Sequence, residues 1–217
     1  MDKNAILSTL DYTLLKQVAD IAAVDSLCEK ALKYKTASVC IPPCYIRHVR
    51  EKYPQLTICT VIGFPNGYNT KSVKVFETQE AIKDGADEID MVINITDVKN
   101  KEFAKITEEI CEIKKACGDL ILKVIVEACF LTEEEKIELC KCVTEAKADY
   151  IKTSTGFGTS GAKLEDVRLF KEHIGPDVKI KAAGGIRSLE AIQSFLDAGA
   201  SRIGTSLDPS TLFAKEN

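Results

Sequence analysis

The sequence of 217 residues contains no tryptophan and only two histidines, and it has no apolar run long enough to span a membrane. A membrane-spanning helix needs about 18 to 20 consecutive apolar residues. The most apolar stretch, 120–131, is interrupted by Lys123 and Glu127. The first residues also lack the basic segment, apolar core and small-residue cleavage site of a secretory signal. We therefore expect a cytoplasmic protein.

Basic residues are not concentrated in any one segment of the chain. The 29 lysines and arginines are opposed by 33 aspartates and glutamates, for a formal net charge of −4. No block of basic residues is present, which disfavours nucleic acid as the main partner. With 45% hydrophobic and 29% charged residues, the composition is that of an ordinary globular protein, so intrinsic disorder is excluded.

The nine cysteines do not have the spacing of a disulfide framework or of a redox motif. No pair is spaced C-x-x-C, and a chain of this length can bury an adequate core without covalent links. We expect free thiols, as is usual in a reducing cytoplasm. Cys40 ends a predicted strand, where we expect it either to line the mouth of a site or to contribute to packing.

Metal and cofactor chemistry is not indicated by the sequence. Both histidines, His48 and His173, fall in helical patterns, and no histidine–carboxylate cluster is visible. The G-x-S-x-G turn of a serine hydrolase is also missing. We expect a protein with neither a metal ion nor a cofactor.

Short segments rich in valine, isoleucine and leucine alternate with longer amphipathic segments along the chain. Such continuous apolar runs are typical of parallel strands covered on both faces. The predicted strands are Leu10–Thr13, Ala37–Ile41, Leu56–Ile62, Glu88–Ile93, Leu120–Glu127, Tyr150–Thr153, Val178–Ala182 and Ser201–Gly204. Helices are predicted at about 18–35, 43–52, 70–84, 99–117, 132–147, 163–174 and 188–198. Thr132 with Glu135 forms a capping box, Ser188 is a predicted N-cap, and a short last helix is predicted from Asp208.

Eight successive strand–helix units fit two architectures, a closed (β/α)₈ barrel or a doubly wound open sheet. The G-x-G-x-x-G fingerprint that would favour the open sheet is missing after the first strong strand. Barrels of this class begin at about 200 residues. The sequence therefore predicts an α/β protein, a closed (β/α)₈ TIM barrel with a single domain over residues 1–217.

Ionisable residues lie within or at the ends of four predicted strands. Asp11 and Thr13 end the first strand, Asp90 lies in the fourth, and Lys152 and Lys181 lie in the sixth and seventh. The carboxyl ends of barrel strands are where active sites form, so these side chains are candidates for chemistry.

Residues two apart on a strand point to the same side of the sheet, so the candidate residues near the barrel mouth imply further charged residues deeper in the barrel. Lys179 points to the same side as Lys181, and Glu88 to the same side as Asp90. A charge in the barrel interior is costly without a partner, so we expect an internal ion pair of the Lys179–Glu88 or the Lys123–Glu127 type.

Two lysines on consecutive central strands suggest covalent chemistry. A like charge lowers the pKa of a neighbouring lysine, and burial acts in the same direction. A partly neutral lysine is the nucleophile for Schiff-base formation with a carbonyl. The spacing does not say which lysine is the nucleophile. Either lysine taken alone would fit an edge residue or an ion-pair partner better, but two lysines with an aspartate two strands earlier favour chemistry.

Three glycine-containing turns follow late strands. Backbone N–H groups in such turns, with a helix start behind them, form anion cradles, and late loops plus a short extra helix are the usual phosphate site of barrels. The alternative is that they are tight turns without a ligand. The candidate binding residues are Thr155, Gly156, Gly184, Gly185, Gly204, Thr205 and Ser206.

Seven stretches, in order over nearly the whole chain, resemble the deoxyribose-phosphate aldolase family. They include the highly specific motifs Lys-Thr-Ser-Thr-Gly and Lys-x-Ala-Gly-Gly. The stretches are 10–15, 38–41, 60–65, 88–94, 123–127, 151–157 and 181–187.

The resemblance implies a class I, metal-free aldolase on a (β/α)₈ barrel. It would reversibly cleave 2-deoxy-D-ribose 5-phosphate to acetaldehyde and D-glyceraldehyde 3-phosphate, in deoxyribonucleoside catabolism. Lys152 matches the Schiff-base lysine, Lys181 the lysine that depresses its pKa, and Asp90 the proton donor and acceptor that relays through water. Asp11 and Thr13 match positions near the sugar hydroxyls, and the glycine turns match the phosphate cradle. Because members often dimerise, a homodimer is expected.

Two departures concern phosphate binding and proton transfer. Phe157 stands where some members carry a phosphate-binding lysine, and the chain ends at 215–217 without the terminal tyrosine of some members. Two alternatives remain: a phosphosugar isomerase or Schiff-base lyase with another donor, and a phosphosugar-binding barrel without chemistry.

Overall fold

The computed structural model describes residues 2–212, which form a closed barrel of eight parallel strands. Each strand is hydrogen-bonded to the next along the chain, and β8 pairs with β1 to close the barrel. The closed (β/α)₈ barrel is therefore confirmed, and the open sheet is excluded. The strands are β1 (Leu10–Thr13), β2 (Ser38–Ile41), β3 (Ile58–Ile62), β4 (Glu88–Val92), β5 (Ile121–Ile125), β6 (Tyr150–Lys152), β7 (Lys179–Ala183) and β8 (Arg202–Thr205).

Within the described residues, nine α-helices accompany the strands, and seven of them were predicted. The two others have five residues each, α1 and α5, too few to show an amphipathic period. The helices are α1 (Lys3–Leu7), α2 (Ile21–Tyr34), α3 (Ile46–Lys52), α4 (Lys71–Asp84), α5 (Ile95–Lys99), α6 (Phe103–Cys117), α7 (Glu133–Glu145), α8 (Leu164–His173) and α9 (Leu189–Ala198). Short 3₁₀ turns lie at Pro43–Tyr45 and Ala128–Phe130.

Local capping explains where several helices begin. At the start of α7, the Thr132 hydroxyl accepts the Glu135 N–H (3.3 Å) and the Glu135 carboxylate accepts the Thr132 N–H (2.8 Å), as the predicted capping box requires. The Ser188 hydroxyl accepts the Ala191 N–H (3.1 Å) at the start of α9.

The short helix predicted from Asp208 is not found in the described part of the chain. The Asp208 carboxylate instead accepts the backbone N–H and the hydroxyl of Ser210 (2.9 and 2.8 Å), and the Thr211 N–H donates to the Asp208 carbonyl (3.0 Å). These bonds make a local turn around the aspartate rather than an α-helix. The tail 215–217, which lacks the terminal tyrosine, lies outside the described residues.

Side chains alternate along the strands between an apolar layer that faces the helices and a polar barrel interior. On β4, Ile89 and Met91 belong to the main apolar core, whereas the alternate residues Glu88 and Asp90 are buried on the other side. The interior side is identified by contacts between strands that are not neighbours, such as Lys181 of β7 with Asp90 of β4. The barrel interior is therefore charged, and the apolar core lies between strands and helices.

No helix within residues 2–212 is long and apolar enough to cross a lipid bilayer. All nine cysteines are free, and six of them are buried, in agreement with the expected free thiols.

One buried ion pair lies outside the barrel interior. Lys74 of α4 is fully buried, and its amine donates to the Glu109 carboxylate of α6 (2.8 Å) and to the Val92 carbonyl at the end of β4 (2.8 Å). The other oxygen of the Glu109 carboxylate accepts the Asn94 N–H (3.3 Å). The pair thus attaches two helices to the end of the strand that carries Asp90.

Lys74→Met is expected to lower the free energy of unfolding by about 3 kcal/mol, because it leaves the buried Glu109 carboxylate without its cation. Urea denaturation of the wild type and the variant measures the change. Lys74→Met with Glu109→Leu should regain most of the loss, since no buried charge is left unpaired. A single variant within about 0.5 kcal/mol of the wild type would contradict this account.

Candidate active site

The centre of the barrel interior is the carboxylate of Asp90, which contacts three lysine amines. Its Oδ2 lies 2.6 Å from Lys152 Nζ and 2.6 Å from Lys181 Nζ, and its Oδ1 lies 2.9 Å from Lys123 Nζ. Asp90, Lys123 and Lys181 are fully buried. The structure therefore brings together the three predicted catalytic residues and adds a third lysine.

A second layer of charges surrounds this centre. Asp11 contacts Lys181 and binds Arg202 Nη1 (2.6 Å). Glu88 binds Lys123 Nζ (2.6 Å) and Arg202 Nη2 (3.1 Å). Asp11 was predicted near the sugar hydroxyls, but it lies fully buried within this ion network.

Both internal ion pairs predicted from strand parity are wrong. Lys179 is exposed at the start of β7, with its amine over the ring of Tyr150 (5.8 Å), and Glu88 pairs with Lys123 and Arg202 instead. Glu127 binds Thr155 rather than Lys123. Parity identifies the side that faces inward, but not which residues meet across the barrel.

The ion network determines the charge of its buried members. Burial opposes ionisation of Asp90, but Lys123, Lys152 and Lys181 outweigh it and hold the pKa of Asp90 well below its usual range. Burial likewise opposes the charged form of Lys181, but Asp11 and Asp90 outweigh it and raise the pKa of Lys181. The expected lowering of a lysine pKa by burial is thus reversed at Lys181, which stays a cation beside Lys152.

Exposure distinguishes Lys152 from the other two lysines. Lys152 lines the cavity at the barrel mouth and is 3% exposed, whereas Lys123 and Lys181 are fully buried. Lys152 contacts one carboxylate, that of Asp90, while Lys181 contacts Asp90 and Asp11. Lys152 is therefore the lysine whose amine a ligand can reach, a choice that the strand spacing left open and that the family resemblance assigned to Lys152.

The cavity at the barrel mouth has a volume of about 310 Å³ and opens beside the late strands. The candidate binding residues that line it are Thr13, Thr155, Gly156, Gly184, Gly185, Gly204, Thr205 and Ser206. All three glycine turns thus meet at one cavity with Lys152, as an anion cradle beside a nucleophile requires.

Two exposed cations on the cavity wall were not identified from the sequence. Lys16 follows β1, and Arg187 follows the Gly184–Gly185 turn. The Phe157 ring also lies on this wall and packs edge-on against Phe64 with ring centroids 5.3 Å apart, so position 157 adds no charge to the cavity. The positive charge at the mouth therefore comes from Lys16 and Arg187.

Cys40 does not line the cavity but lies in a small apolar cluster with Cys59 and Val61. Its β-sheet partner in the register is Cys59, whose thiol lies 3.1 Å from Asp90 Oδ1. Packing, one of the two roles expected for Cys40, is the one that its position fits.

The described residues include two buried groups with the spacing of metal ligands. They are Cys40–Cys59–Asp90 and Asp11–Cys59–Glu88. Their carboxylates already bind lysine and arginine cations, so a further cation at either group would be repelled. His48 lies elsewhere, paired with Asp25 (2.9 Å).

Comparison with known proteins identifies the family. A model described as the DeoC/LacD family aldolase matches residues 6–206 of the chain. The chain belongs to the DeoC/LacD family of aldolases. The aldolase is 57% identical to the deoxyribose-phosphate aldolase of Clostridium botulinum (strain Alaska E43 / Type E3) over 207 residues, which cover 95% of this chain and 94% of that protein.

Solved structures with the same fold extend this similarity. A tetrameric deoxyribose phosphate aldolase from Aeropyrum pernix matches the aldolase with a TM-score of 0.89 and 30% identity, covering 97% of this chain and 90% of that one. A Coccidioides immitis protein, provisionally described as a deoxyribose-phosphate aldolase, matches with a TM-score of 0.95 and 33% identity, covering 100% of this chain and 88% of that one.

The ion network predicts an acid-dependent loss of stability. Burial opposes ionisation of Asp11, but Lys181, Lys123 and Arg202 hold its pKa below the usual range, as Lys123, Lys152 and Lys181 do for Asp90. Unfolded carboxylates take up protons near pH 4 while these two remain ionised in the folded state. The free energy of unfolding should therefore fall as the pH drops from about 5 to about 2.

Denaturant unfolding across this pH range checks the prediction. Asp11→Asn should give a shallower fall than the wild type, because one depressed carboxyl is missing, and it should already be less stable at neutral pH. Asp119→Asn, at an exposed position before β5, should behave like the wild type. Equal slopes for Asp11→Asn and the wild type would contradict the assignment.

Proposed function

We propose that this aldolase reversibly cleaves 2-deoxy-D-ribose 5-phosphate into acetaldehyde and D-glyceraldehyde 3-phosphate through a Schiff base on Lys152. The observation that carries the proposal is the position of the Lys152 amine. It lies on the cavity wall, 2.6 Å from Asp90, and in the same cavity as the three glycine turns. A carbonyl can therefore reach the amine while a phosphate occupies the cradle.

The first step forms the Schiff base. The Lys152 ammonium loses a proton to water at the cavity, and the free amine attacks C1 of the open-chain sugar aldehyde. The carbonyl oxygen takes up protons and leaves as water, so that a C=N bond replaces the C=O bond. Lys123, Lys152 and Lys181 hold the pKa of Asp90 well below its usual range. Its carboxyl therefore keeps a proton only briefly and passes it, through water, from the carbinolamine nitrogen to the departing oxygen.

The second step breaks the C2–C3 bond of the sugar. A base removes the proton of the C3 hydroxyl, C3 becomes the aldehyde carbon of glyceraldehyde 3-phosphate, and the electron pair of the broken bond moves to the iminium. The product left on Lys152 is an enamine. Lys181 remains protonated beside it, and this fixed cation favours the electron-rich enamine.

The last step releases acetaldehyde. The enamine carbon takes a proton to give the iminium of acetaldehyde, and water then adds to the iminium carbon. Expulsion of the amine yields acetaldehyde and free Lys152. Asp90, the carboxyl that contacts Lys152 and Lys181 together, is the proposed proton donor and acceptor in these transfers.

The cradle supplies the selectivity for a phosphorylated sugar. Glycine at 156, 184 and 185 leaves the backbone close to the cavity, with positive φ at each (+87°, +92° and +76°). Lys16 and Arg187 add positive charge at the same wall. A phosphate dianion bound there holds the sugar with its other end directed to Lys152.

We further propose a cytoplasmic location and a homodimer. The nine free cysteines support a reducing compartment. The dimer rests on the resemblance to a family whose members often dimerise, whereas the Aeropyrum pernix relative is described as a tetramer.

Turnover of 2-deoxyribose 5-phosphate with detection of acetaldehyde tests the proposed function. The wild type should release acetaldehyde, and Lys152→Leu should lose at least about 10³-fold in kcat/KM because the nucleophile is gone. Lys179→Leu, on the exposed start of β7, is the matched control and should retain activity.

The same assay separates the alternatives. A five-carbon product without acetaldehyde would indicate an isomerase, and thermal stabilisation by the sugar phosphate without turnover would indicate a binding protein. Full activity of Lys152→Leu would refute the Schiff-base assignment.

A further inference from the structure

Glu127 is a buried carboxylate at the barrel mouth with an unusual backbone conformation. It follows β5 and is 2% exposed, with φ at +52°, in the left-handed region that residues other than glycine seldom adopt. Such conformations persist where the surrounding structure enforces them, and they concentrate at functional sites. Glu127 has no role in the proposed Schiff-base steps.

The side chain of Glu127 is held by two donors of Thr155. The Thr155 N–H donates to Glu127 Oε1 (3.2 Å), and the Thr155 hydroxyl donates to Glu127 Oε2. The same hydroxyl oxygen accepts the Phe157 N–H (2.9 Å). One carboxylate thus fixes both the backbone and the side chain of Thr155, and through its hydroxyl it fixes Phe157.

The loop that follows β6 also wraps closely around this carboxylate. A Cβ added at Gly158 would lie 3.1 Å from the carboxyl carbon of Glu127 and 2.8 Å from Cys129 Sγ. Glycine at 158 is therefore what allows the loop to approach Glu127. The conformation of the turn 155–158 therefore depends on contacts with the Glu127 side chain.

The far end of this loop is attached to the second glycine turn. The Ala162 N–H donates to the Gly184 carbonyl (3.0 Å), and a Cβ at Gly161 would lie 2.2 Å from that oxygen. The loop is thus fixed at its start by Glu127 and at its end by Gly184. Between these anchors it presents Gly156 to the cavity.

We propose that Glu127 is a positioning residue that holds the Thr155–Phe157 turn in the shape that binds the phosphate, and thereby makes the enzyme selective for phosphorylated substrates. This inference rests on the proposed function. It assigns to Glu127 no contact with the reacting atoms and no proton transfer. Its effect passes through Thr155 to the cradle.

A carboxylate suits this position because both of its oxygens accept hydrogen bonds from Thr155. A glutamine of the same shape has one acceptor oxygen, and in either orientation its NH₂ group takes the place of an oxygen that now accepts a Thr155 donor, the N–H at Oε1 or the hydroxyl at Oε2. At the Oε2 position, the NH₂ group would face a hydroxyl oxygen that already accepts the Phe157 N–H. Glu127→Gln therefore disturbs the turn with little change in volume.

The test compares Glu127→Gln with the wild type on 2-deoxyribose 5-phosphate and on unphosphorylated 2-deoxyribose. We expect KM for the phosphorylated sugar to rise about tenfold with kcat changed by less than about twofold, and kcat/KM for 2-deoxyribose to stay unchanged. Equal losses on both sugars, or a lower kcat with unchanged KM, would overturn the proposal.

Glu109→Gln is the matched control for a general loss of stability. Glu109 is also a buried glutamate that accepts a backbone N–H, but it lies on α6 beside Lys74 rather than at the cavity. We expect this variant to unfold at lower denaturant concentration with the ratio of the two kcat/KM values unchanged. A shifted ratio in Glu109→Gln would show that instability alone moves it, and would refute the proposal.

A second variant keeps the proposal falsifiable if Glu127→Gln does not fold. Thr155→Val removes the hydroxyl that links Glu127 to Phe157, and it should raise KM for the phosphorylated sugar more than KM for 2-deoxyribose. In the double variant the two losses should not add, because both changes break one chain of hydrogen bonds. Additive losses would show that Glu127 acts independently of Thr155.

Failure of this inference differs from failure of the proposed function. If the wild type releases no acetaldehyde from either sugar, the proposed function is wrong. If the wild type is active and Glu127→Gln keeps the wild-type ratio of the two kcat/KM values, only the role of Glu127 is wrong.

Discussion

The salt bridge between Asp90 and three lysine amines is the interaction on which the site depends. Closing eight strands into a barrel forces side chains of distant strands into one interior, where an unpaired charge is costly. The described interior network contains three carboxylates and four cations: Asp11, Glu88 and Asp90 with Lys123, Lys152, Lys181 and Arg202. When Lys152 is a neutral amine, the charges balance at three to three. Of the four cations, Lys152 is the one that lines the cavity. The cation that a substrate can reach is therefore one whose neutral form leaves the interior network without net charge.

The candidate catalytic residues lie on strands, whereas most of the candidate phosphate-binding residues lie on loops. Asp90, Lys152 and Lys181 lie on β4, β6 and β7, whose backbones are fixed by neighbours on both sides. The proposed phosphate cradle is built from loops, which need separate supports. Glu127 holds one loop at its start and the Gly184 carbonyl holds it at its end. In the proposed mechanism, reactivity therefore depends on residues of the sheet, and the proposed selectivity for phosphate depends on contacts between successive loops.

The sequence predicted the closed barrel, seven of the helices and the glycine turns that line the cavity, because these depend on local apolar patterns and on turn residues. The candidates Asp11 and Cys40 do not line the cavity. It did not predict which charges meet inside the barrel. Lys123 and Arg202 are brought to Glu88 by the register and tilt of the closed sheet, which a parity argument does not contain. The turn at Asp208 and the cations Lys16 and Arg187 were missed for a similar reason: a cap residue fits a turn as well as a helix, and a loop cation has no periodic signal. The left-handed backbone conformation of Glu127 could not be predicted from the sequence, because among the residue types mainly glycine and asparagine indicate that conformation.

The central claim, that Lys152 rather than a neighbouring lysine carries the chemistry, is tested most directly by locating the covalent intermediate. The protein would be incubated with acetaldehyde and borohydride, digested, and analysed by mass spectrometry of the peptides. Reduction of the Schiff base fixes an ethyl group on the nitrogen that formed it. We predict N-ethyl-lysine at Lys152, and unmodified Lys123 and Lys181. An ethyl group on Lys181 or Lys123, or a protein without any adduct that still releases acetaldehyde, would contradict the account.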